Sequence, residues 1–267
     1  MPPDEAHRPA LDPADVAVPG WRVEVLAASP STNALVAARA QDGEEPGLVV
    51  VAEHQTAGRG RLDRVWVTPP RAALTVSLLV DPGRVPASRW PWLPLLTGLA
   101  VVEGVRRVAG VEASLKWPND VLVDDLKVAG ILVERVDRPT GPVAVVGIGL
   151  NVSSTREELP VPAATSLALA GAASLDRAAL LAAVLTAFTV RYDAWQDAAG
   201  LGLRAPYVRE CSTIGRRVTV SLPAGGTLSG TAVGVDEDGR LQVDDGSRVQ
   251  VLGAGDVVHV RPTAPAK

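Results

Sequence analysis

A chain of 267 residues, 47% hydrophobic and 21% charged, holds enough apolar mass for one large domain, or for a large one with a small companion, and is too apolar to stay unfolded. The formal net charge of −4 excludes a protein built chiefly to coat nucleic acid, although it leaves room for a local cationic pocket. A single cysteine, Cys211, excludes an intrachain disulfide and any zinc site made of cysteine pairs, and fits a reducing compartment.

Residues 1–20 are rich in proline and mixed charge and lack the apolar stretch of a signal peptide, so they read as a mobile tail. No run reaches the roughly eighteen uninterrupted apolar residues of a membrane helix. The expectation is a cytoplasmic protein without membrane contact. Order starts near Trp21, where Val23 and Val25 alternate with Arg22 and Glu24 in a strand pattern. Ser29 to Asn33 then offers N-caps for a helix over Ala34 to Ala40. Gly47 to Glu53 and Ala73 to Val80 are valine-rich apolar runs, as expected of buried strands. Leu95, Leu99, Val102 and Val105 recur at helical spacing between Pro94 and Val108, and Val128–Val136 and Val143–Val152 are further strands.

Leu181, Leu185, Phe188, Tyr192 and Trp195 step along one helix face as a packing stripe. After Cys211, five short runs (Arg217–Leu222, Leu228–Val235, Leu241–Val243, Arg248–Leu252, Val257–Val260) are punctuated by Gly- and Asp-rich turns. That grammar predicts a small antiparallel β-barrel. The expected organisation is a tail (1–20), a mixed α/β domain (21–210), a small β domain (211–262) and a second tail (263–267).

Four blocks carry chemistry. Only three lysines occur in the chain, and two of them, Lys116 and Lys127, stand eleven residues apart in one segment. A chain that otherwise uses arginine spends point charges there, and lysine, unlike arginine, is a compact charge that answers to its surroundings. If residues 120–125 form a hairpin, the two lysines lie on neighbouring strands. The second block, Gln55-Thr-Ala-Gly58-Arg59-Gly60-Arg61-Leu-Asp63-Arg64-Val-Trp66, follows a buried strand. Its glycines let backbone N–H groups approach an anion, and its arginines add permanent charge in a fork geometry. A solvated turn or an RGG-type nucleic-acid patch reads equally well from that block alone. In Lys116-Trp117-Pro118-Asn119-Asp120, a strand end meets turn chemistry. In Gly147-Ile-Gly149-Leu-Asn151, two glycines in a strand mark either a bulge or a close approach to the backbone. There is no P-loop, no dinucleotide fingerprint and no serine-hydrolase elbow.

Together these blocks, with Ser31-Thr32-Asn33 ahead of them and Lys127-Val-Ala-Gly-Ile-Leu-Val-Glu134 between the last two, resemble biotin–protein ligases in order and spacing over about 21–261. The resemblance implies an α+β fold: a mixed sheet with helices, like the catalytic domain of class II aminoacyl-tRNA synthetases, followed by an SH3-like domain. It implies two half-reactions, biotin plus ATP giving biotinyl-5′-AMP, then transfer to a lysine of the biotin carboxyl-carrier domain of an acyl-CoA carboxylase. With only about twenty residues before Trp21, the monofunctional branch without a DNA-binding domain is expected. By motif position, Ser31, Thr32, Gln55 and the backbone at Gly58 and Arg59 hold the ureido head of biotin, with Asn33 beside them. Arg61 and Lys127 hold the biotin carboxylate against the α-phosphate. Arg64 and Lys116 meet phosphates, while Trp66, Asn119 and Asn151 line the nucleotide side. Gly130, Gly147 and Gly149 allow close approach, and Asp120 positions or deprotonates the acceptor amine. Mg²⁺ is expected to travel with ATP rather than in a protein metal site. The chain departs from the family at Asp63, where a glycine is usual, which predicts a loop that orders only on ligand binding. Two other readings stay open: a lipoate or octanoate ligase of the same fold, and a non-catalytic biotin- or nucleic-acid-binding module.

Overall fold

The structure, a computed structural model, describes residues 8–62, 64–197, 202–222, 225–253 and 255–259. Its centre is a seven-stranded sheet in the order β1-β2-β5-β9-β8-β7-β6. The strands are β1 (Arg22–Leu26), β2 (Leu48–Ala52), β5 (Ala73–Val80), β6 (Ser114–Lys116), β7 (Asp120–Val123), β8 (Leu126–Val136) and β9 (Val143–Asn151). β1 and β2 run parallel, joined by helix α1 (Thr32–Gln41), and every other pair in the sheet is antiparallel. A two-stranded ribbon of β3 (Gly58–Arg59) and β4 (Val65–Trp66) projects between β2 and β5.

The central strands are buried on both faces, which is why their sequence reads as continuous apolar runs with no alternation to betray an orientation. Strand geometry nonetheless separates two faces. Val50, Leu79, Val143 and Val145 pack beneath Val36 and Ala40 of α1. Val49, Val51, Val76, Leu78, Ala144 and Val146 face α2 (Trp92–Ala109) and α3 (Arg177–Asp197). α2 and α3 cross closely at Gly104, where a Cβ would stand 2.6 Å from Val184 Cγ2. The predicted stripe Leu181, Leu185, Phe188, Tyr192 and Trp195 is buried, with Phe188 stacked on Tyr192 at 5.4 Å between ring centroids. By length and composition α3 is apolar enough to span a bilayer, and its apolar stripe faces α2 in the core.

Residues 8–16 differ from the free tail expected of them. Leu11 and Val16 are buried, and the Leu11 N–H donates to Glu53 Oε1 at 2.6 Å. Glu53 in turn pairs with the buried Arg177, whose Nη1 stands 2.5 Å from Glu53 Oε2 and whose Nη2 donates to Pro9 O at 2.6 Å. Arg8 donates to Ser153 O and to Glu158. Satisfying a buried ion pair from three segments is what fixes this stretch, because each lone charge left without partners there costs several kcal/mol, roughly 3–5. A composition rich in proline and charge gave no sign of those partners. Residues 1–7 and 260–267 lie outside the described residues.

A short helix α4 (Arg204–Glu210) leads to five antiparallel strands, β10 (Arg217–Ser221), β11 (Thr227–Val235), β12 (Leu241–Asp244), β13 (Val249–Leu252) and β14 (Asp256–His259), ordered β13-β12-β11-β10-β14. This small β domain is docked on the large one by buried groups. Trp92 Nε1 donates to Glu237 O at 2.7 Å and Trp117 Nε1 to Gly239 O at 3.1 Å. The Trp117 N–H donates to Thr213 Oγ1 at 3.1 Å.

Candidate active site

The chain concentrates its polar groups where β1 and β2 leave the sheet side by side. Being parallel, the two strands deliver their following loops to the same end. Those loops stay paired: the Ser29 N–H donates to His54 O at 3.0 Å and the Thr56 N–H to Ser29 O at 3.1 Å. Ser31 caps α1 in an extended conformation, with its Oγ accepting from the Ala34 N–H at 3.4 Å. Thr32 donates to Gln55 Oε1 from both its N–H (2.8 Å) and its Oγ1 (3.1 Å). From the neighbouring β5, the fully buried Ser77 donates to Asn33 Oδ1 at 2.6 Å and lies 2.8 Å from Thr32 Oγ1. Asn33 Nδ2 donates to Leu132 O and to Glu134 of β8. Asn33 thus spends its whole amide on the protein, and Ser77 and Glu134 are its partners. Neither had been assigned a role, since a lone polar residue in an apolar run carries no such signal.

These groups form one wall of a cavity of about 520 Å³. Among the expected site residues, Ser31, Thr32, Asn33, Gln55, Arg59, Arg61, Arg64, Trp66, Asn119, Asp120, Lys127, Gly130, Gly147, Gly149 and Asn151 line it, whereas Gly58 and Lys116 do not. Gly58 lies at the root of the ribbon, where a Cβ would overlap Trp66 O. The strand glycines have a role different from the one expected. A Cβ at Gly147 would collide with Asn33 Oδ1, and one at Gly149 would stand 2.5 Å from Trp66 Cε2. Side chains of the chain itself occupy the space above them. The Trp66 indole N–H is buried there without an acceptor among the described residues. Asn151, buried, donates to Thr165 O at 2.9 Å, and the segment carrying Pro160, Val161 and Ala164, which no motif marked, closes the pocket beside it.

The second lysine reaches the pocket through a bulge. Asp120 opposes Gly130 and Leu122 opposes Lys127, so β8 carries one residue more than β7 between those pairs. In a regular strand, positions 127 and 130 point to opposite faces. The extra residue turns Lys127 onto the face of Gly130, where its Nζ lies 2.5 Å from Asp120 Oδ1 and 5.8 Å from the Trp66 ring centroid. Lys116 sits on β6, so the two lysines flank β7 instead of occupying neighbouring strands. Asp120 stands between them, 3.9 Å from Lys116 Nζ.

The charges are paired with one exception. Arg59 meets Glu134 at 3.2 Å, Arg64 pairs with Asp256, and Lys127 pairs with Asp120. Arg61 donates to neutral acceptors, Asn119 Oδ1 at 3.1 Å and Gly255 O at 3.4 Å, and has no carboxylate partner among the described residues. Burial lowers its pKa, while the charges of Asp256 and Asp120 pull it back up, and a guanidinium stays protonated regardless. A half-buried cation satisfied only by neutral groups is a place for an anion. Asp256 belongs to the β domain, and its position inside the site had no signal beyond the Gly-rich turn that precedes it. Asp63 lies outside the described residues. Its neighbour Leu62 has a positive φ of 54°.

Residues 25–151 match the Biotin/lipoate A/B protein ligase family, and residues 213–260 match the Biotin protein ligase C terminal domain. A biotin--[acetyl-CoA-carboxylase] ligase of Mycobacterium tuberculosis is 44% identical over 247 residues, spanning 91% of this chain and 91% of that protein. The chain belongs to the biotin protein ligase family. The bifunctional ligase/repressor BirA of Escherichia coli is 31% identical over 89% of this chain and 74% of its own length. A biotin protein ligase from Aquifex aeolicus, solved in complex with biotin and ATP, superposes with a TM-score of 0.77 at 27% identity, covering 90% of this chain and 99% of that one. The mixed sheet with its helices and appended β domain is the fold of these enzymes.

Proposed function

We propose that this chain is an ATP-dependent biotin–protein ligase that forms biotinyl-5′-AMP and passes the biotinyl group to a lysine of a carboxylase carrier domain. The observation that carries this reading is the meeting, in one cavity, of a polar cradle at Ser31, Thr32 and Gln55 with an arginine that has no carboxylate partner among the described residues. Hydroxyl and amide groups suit a neutral ureido ring, and a polar site left unsatisfied by a hydrocarbon rejects it strongly. Arg61 takes an anion without first breaking an ion pair. In the first step a carboxylate oxygen of biotin attacks the α-phosphorus, and pyrophosphate leaves with the cleaved P–O bond. Two anions must be brought into contact, so Arg61 and Lys127 lower the barrier by neutralising and aligning them.

When the substrate carboxylate draws Lys127 away, Asp120 keeps only its longer contact to Lys116 and becomes the nearest carboxylate to an incoming acceptor amine. The amine nitrogen then attacks the acyl carbon, AMP departs, and the proton goes to Asp120 or solvent. Trp66, with its unpaired indole N–H, supplies a flat wall and one donor to the nucleotide side. No group of three His, Cys, Asp or Glu side chains converges on a metal position among the described residues. A Mg²⁺ ion carried by the nucleotide phosphates would supply charge neutralisation beside Arg61 and Lys127.

Biotin-dependent ATP–pyrophosphate exchange tests the proposal, with octanoate and lipoate as competing acids. Exchange with biotin alone, falling at least roughly 100-fold in Lys127→Met, is expected. Exchange with the fatty acids instead moves the chain to the lipoate branch, and no exchange with any acid refutes the ligase reading.

A further inference from the structure

The two arginines at the tip of the ribbon are both held by consecutive residues of the β domain. Arg64 pairs with the Asp256 carboxylate, and Arg61 donates to the carbonyl oxygen of Gly255. The two sides of this contact are unequal. Asp256 opens β14, whose ladder to β10 runs from Ser221↔Asp256 to Val218↔His259. Gly255 is pressed so tightly on β10 that a Cβ there would come within 2.6 Å of Val220 Cγ1. The domain that carries them is seated through Trp92 and Trp117, both buried. Arg64, by contrast, is 60% exposed, between Leu62 and Val65 that are themselves exposed. The β domain therefore fixes the position of Asp256, and the loop comes to it.

We propose that Asp256 is a positioning residue that latches Arg64, and with it the ribbon loop, over the cavity until the phosphates of the nucleotide take its place. A carboxylate is a stand-in for a phosphate oxygen: both accept the guanidinium fork. Burial pushes the Asp256 carboxyl up, but the hydrogen bond and charge of Arg64, helped by the weaker fields of Lys116 and Arg61, hold it below its ordinary value. An exposed ion pair is weak enough for a multiply charged phosphate to displace. The latch thus keeps the ligand-free loop folded, against the expectation drawn from Asp63 of a loop that orders only on ligand binding, at little cost to nucleotide binding, and makes release of the loop from the β domain part of nucleotide entry.

This inference rests on the reading that the arginine loop meets nucleotide phosphates, and its first test uses no nucleotide. Cleavage of the ligand-free protein by thermolysin, which cuts at exposed apolar residues such as Leu62 and Val65, reads how firmly the loop is held. Asp256→Asn is expected to speed cleavage roughly two- to fivefold, the factor an exposed ion pair carries. Inorganic pyrophosphate is then titrated as a protecting ligand. Its half-protective concentration is expected to fall roughly two- to fivefold in Asp256→Asn, because a competitor for Arg64 is gone.

In an Arg64→Ala background the same substitution is expected to change neither quantity. Should Asp256→Asn disturb the melting temperature, Arg64→Gln opens the latch from the other side and must speed cleavage alike. Unchanged cleavage, weaker protection by pyrophosphate in Asp256→Asn, or an undiminished effect in the Arg64→Ala background overturns the latch. A protein that shows the latch but no exchange refutes the ligase reading and leaves the loop contact standing.

Discussion

Gly147 and Gly149 look alike in sequence, two small residues two positions apart on the same face of β9, yet they make room for different things. Gly147 admits Asn33, whose amide is tied to Ser77, Leu132 and Glu134, and of these the buried Ser77 and the Leu132 carbonyl are held in place by the sheet. A methyl group at 147 forces Asn33 off its hydrogen bonds and leaves buried polar groups unpaired. Gly147→Ala is therefore expected to destabilise the protein by about 1–3 kcal/mol, read from its denaturant midpoint. Gly149 admits the Trp66 indole, which hangs from a two-residue strand on an exposed ribbon. Trp66 can give way, so Gly149→Ala is expected to cost under about 1 kcal/mol of stability while lowering exchange about tenfold or more. A larger stability loss at 149 than at 147 contradicts this division. The sequence left open whether these glycines mark a bulge or a close approach to this strand. It could not show that the visitors are side chains of the chain itself, because closeness across a sheet is a property of packing.

The hairpin from β7 to β8 shows what an element adds. Its two-residue loop, Asp124-Asp125, has φ of 50° and 61°, the left-handed pair that matches the twist of two antiparallel strands. Aspartate tolerates that region and a β-branched residue does not. Asp124→Val is expected to cost about 1–2 kcal/mol, measured as a shifted melting transition, with the register of Lys127 against Leu122 preserved. A variant as stable as the parent sinks the assignment of strain to this turn. The sequence offered the hairpin over 120–125 only as a condition, and the turn chemistry it showed, Asn119-Asp120, lies at the start of β7 and not at this turn. The bulge that follows the turn was not legible, since nothing in Lys127-Val128-Ala129 marks an extra residue. That bulge decides which face Lys127 serves. Likewise the β1–α1–β2 crossover was readable as strand, cap, helix and strand, whereas the pairing of Ser29 with Gln55 that assembles the cradle depends on the two strands lying parallel and adjacent.

At the scale of the whole molecule, the two domains share a polar seam. His259 at the end of β14 lies 3.0 Å from Thr213 Oγ1, the same hydroxyl that receives the Trp117 N–H, and 3.4 Å from Arg216 Nη1. Burial first, then the charges of Arg216 and Lys116, lower its pKa from 6.5 to about 4, with Asp125 opposing them. The folded imidazole is neutral where the unfolded one already binds a proton. Stability contributed at this seam is thus complete above pH 6.5 and is lost as pH falls from 6.5 toward 4. His259→Gln is expected to flatten that slope in denaturant midpoints measured between those limits, the difference being on the order of 1 kcal/mol for a partly exposed group. Parallel pH profiles for the two proteins refute the coupling. The extended N-terminal stretch belongs to this scale too: residues 8–16 are held by Glu53 and Arg177, which stand far apart in sequence and meet only in the fold.

By itself the sequence determined the kinds of element, the five strands of the β domain, the buried stripe of α3 and the polar residues that line the cavity, Asp256 excepted. Those features are written locally, in side-chain period, caps and turn residues, or in short motifs whose spacing is retained along the chain. The tertiary structure alone decided the rest: the face onto which Lys127 is turned, Asp120 standing between two lysines, Arg61 without a carboxylate partner among the described residues, and Asp256 brought in from another domain. Each of these depends on which residues from distant segments share one small volume. Charge acts through space, so its partners are fixed only once the strands are paired and the β domain is docked.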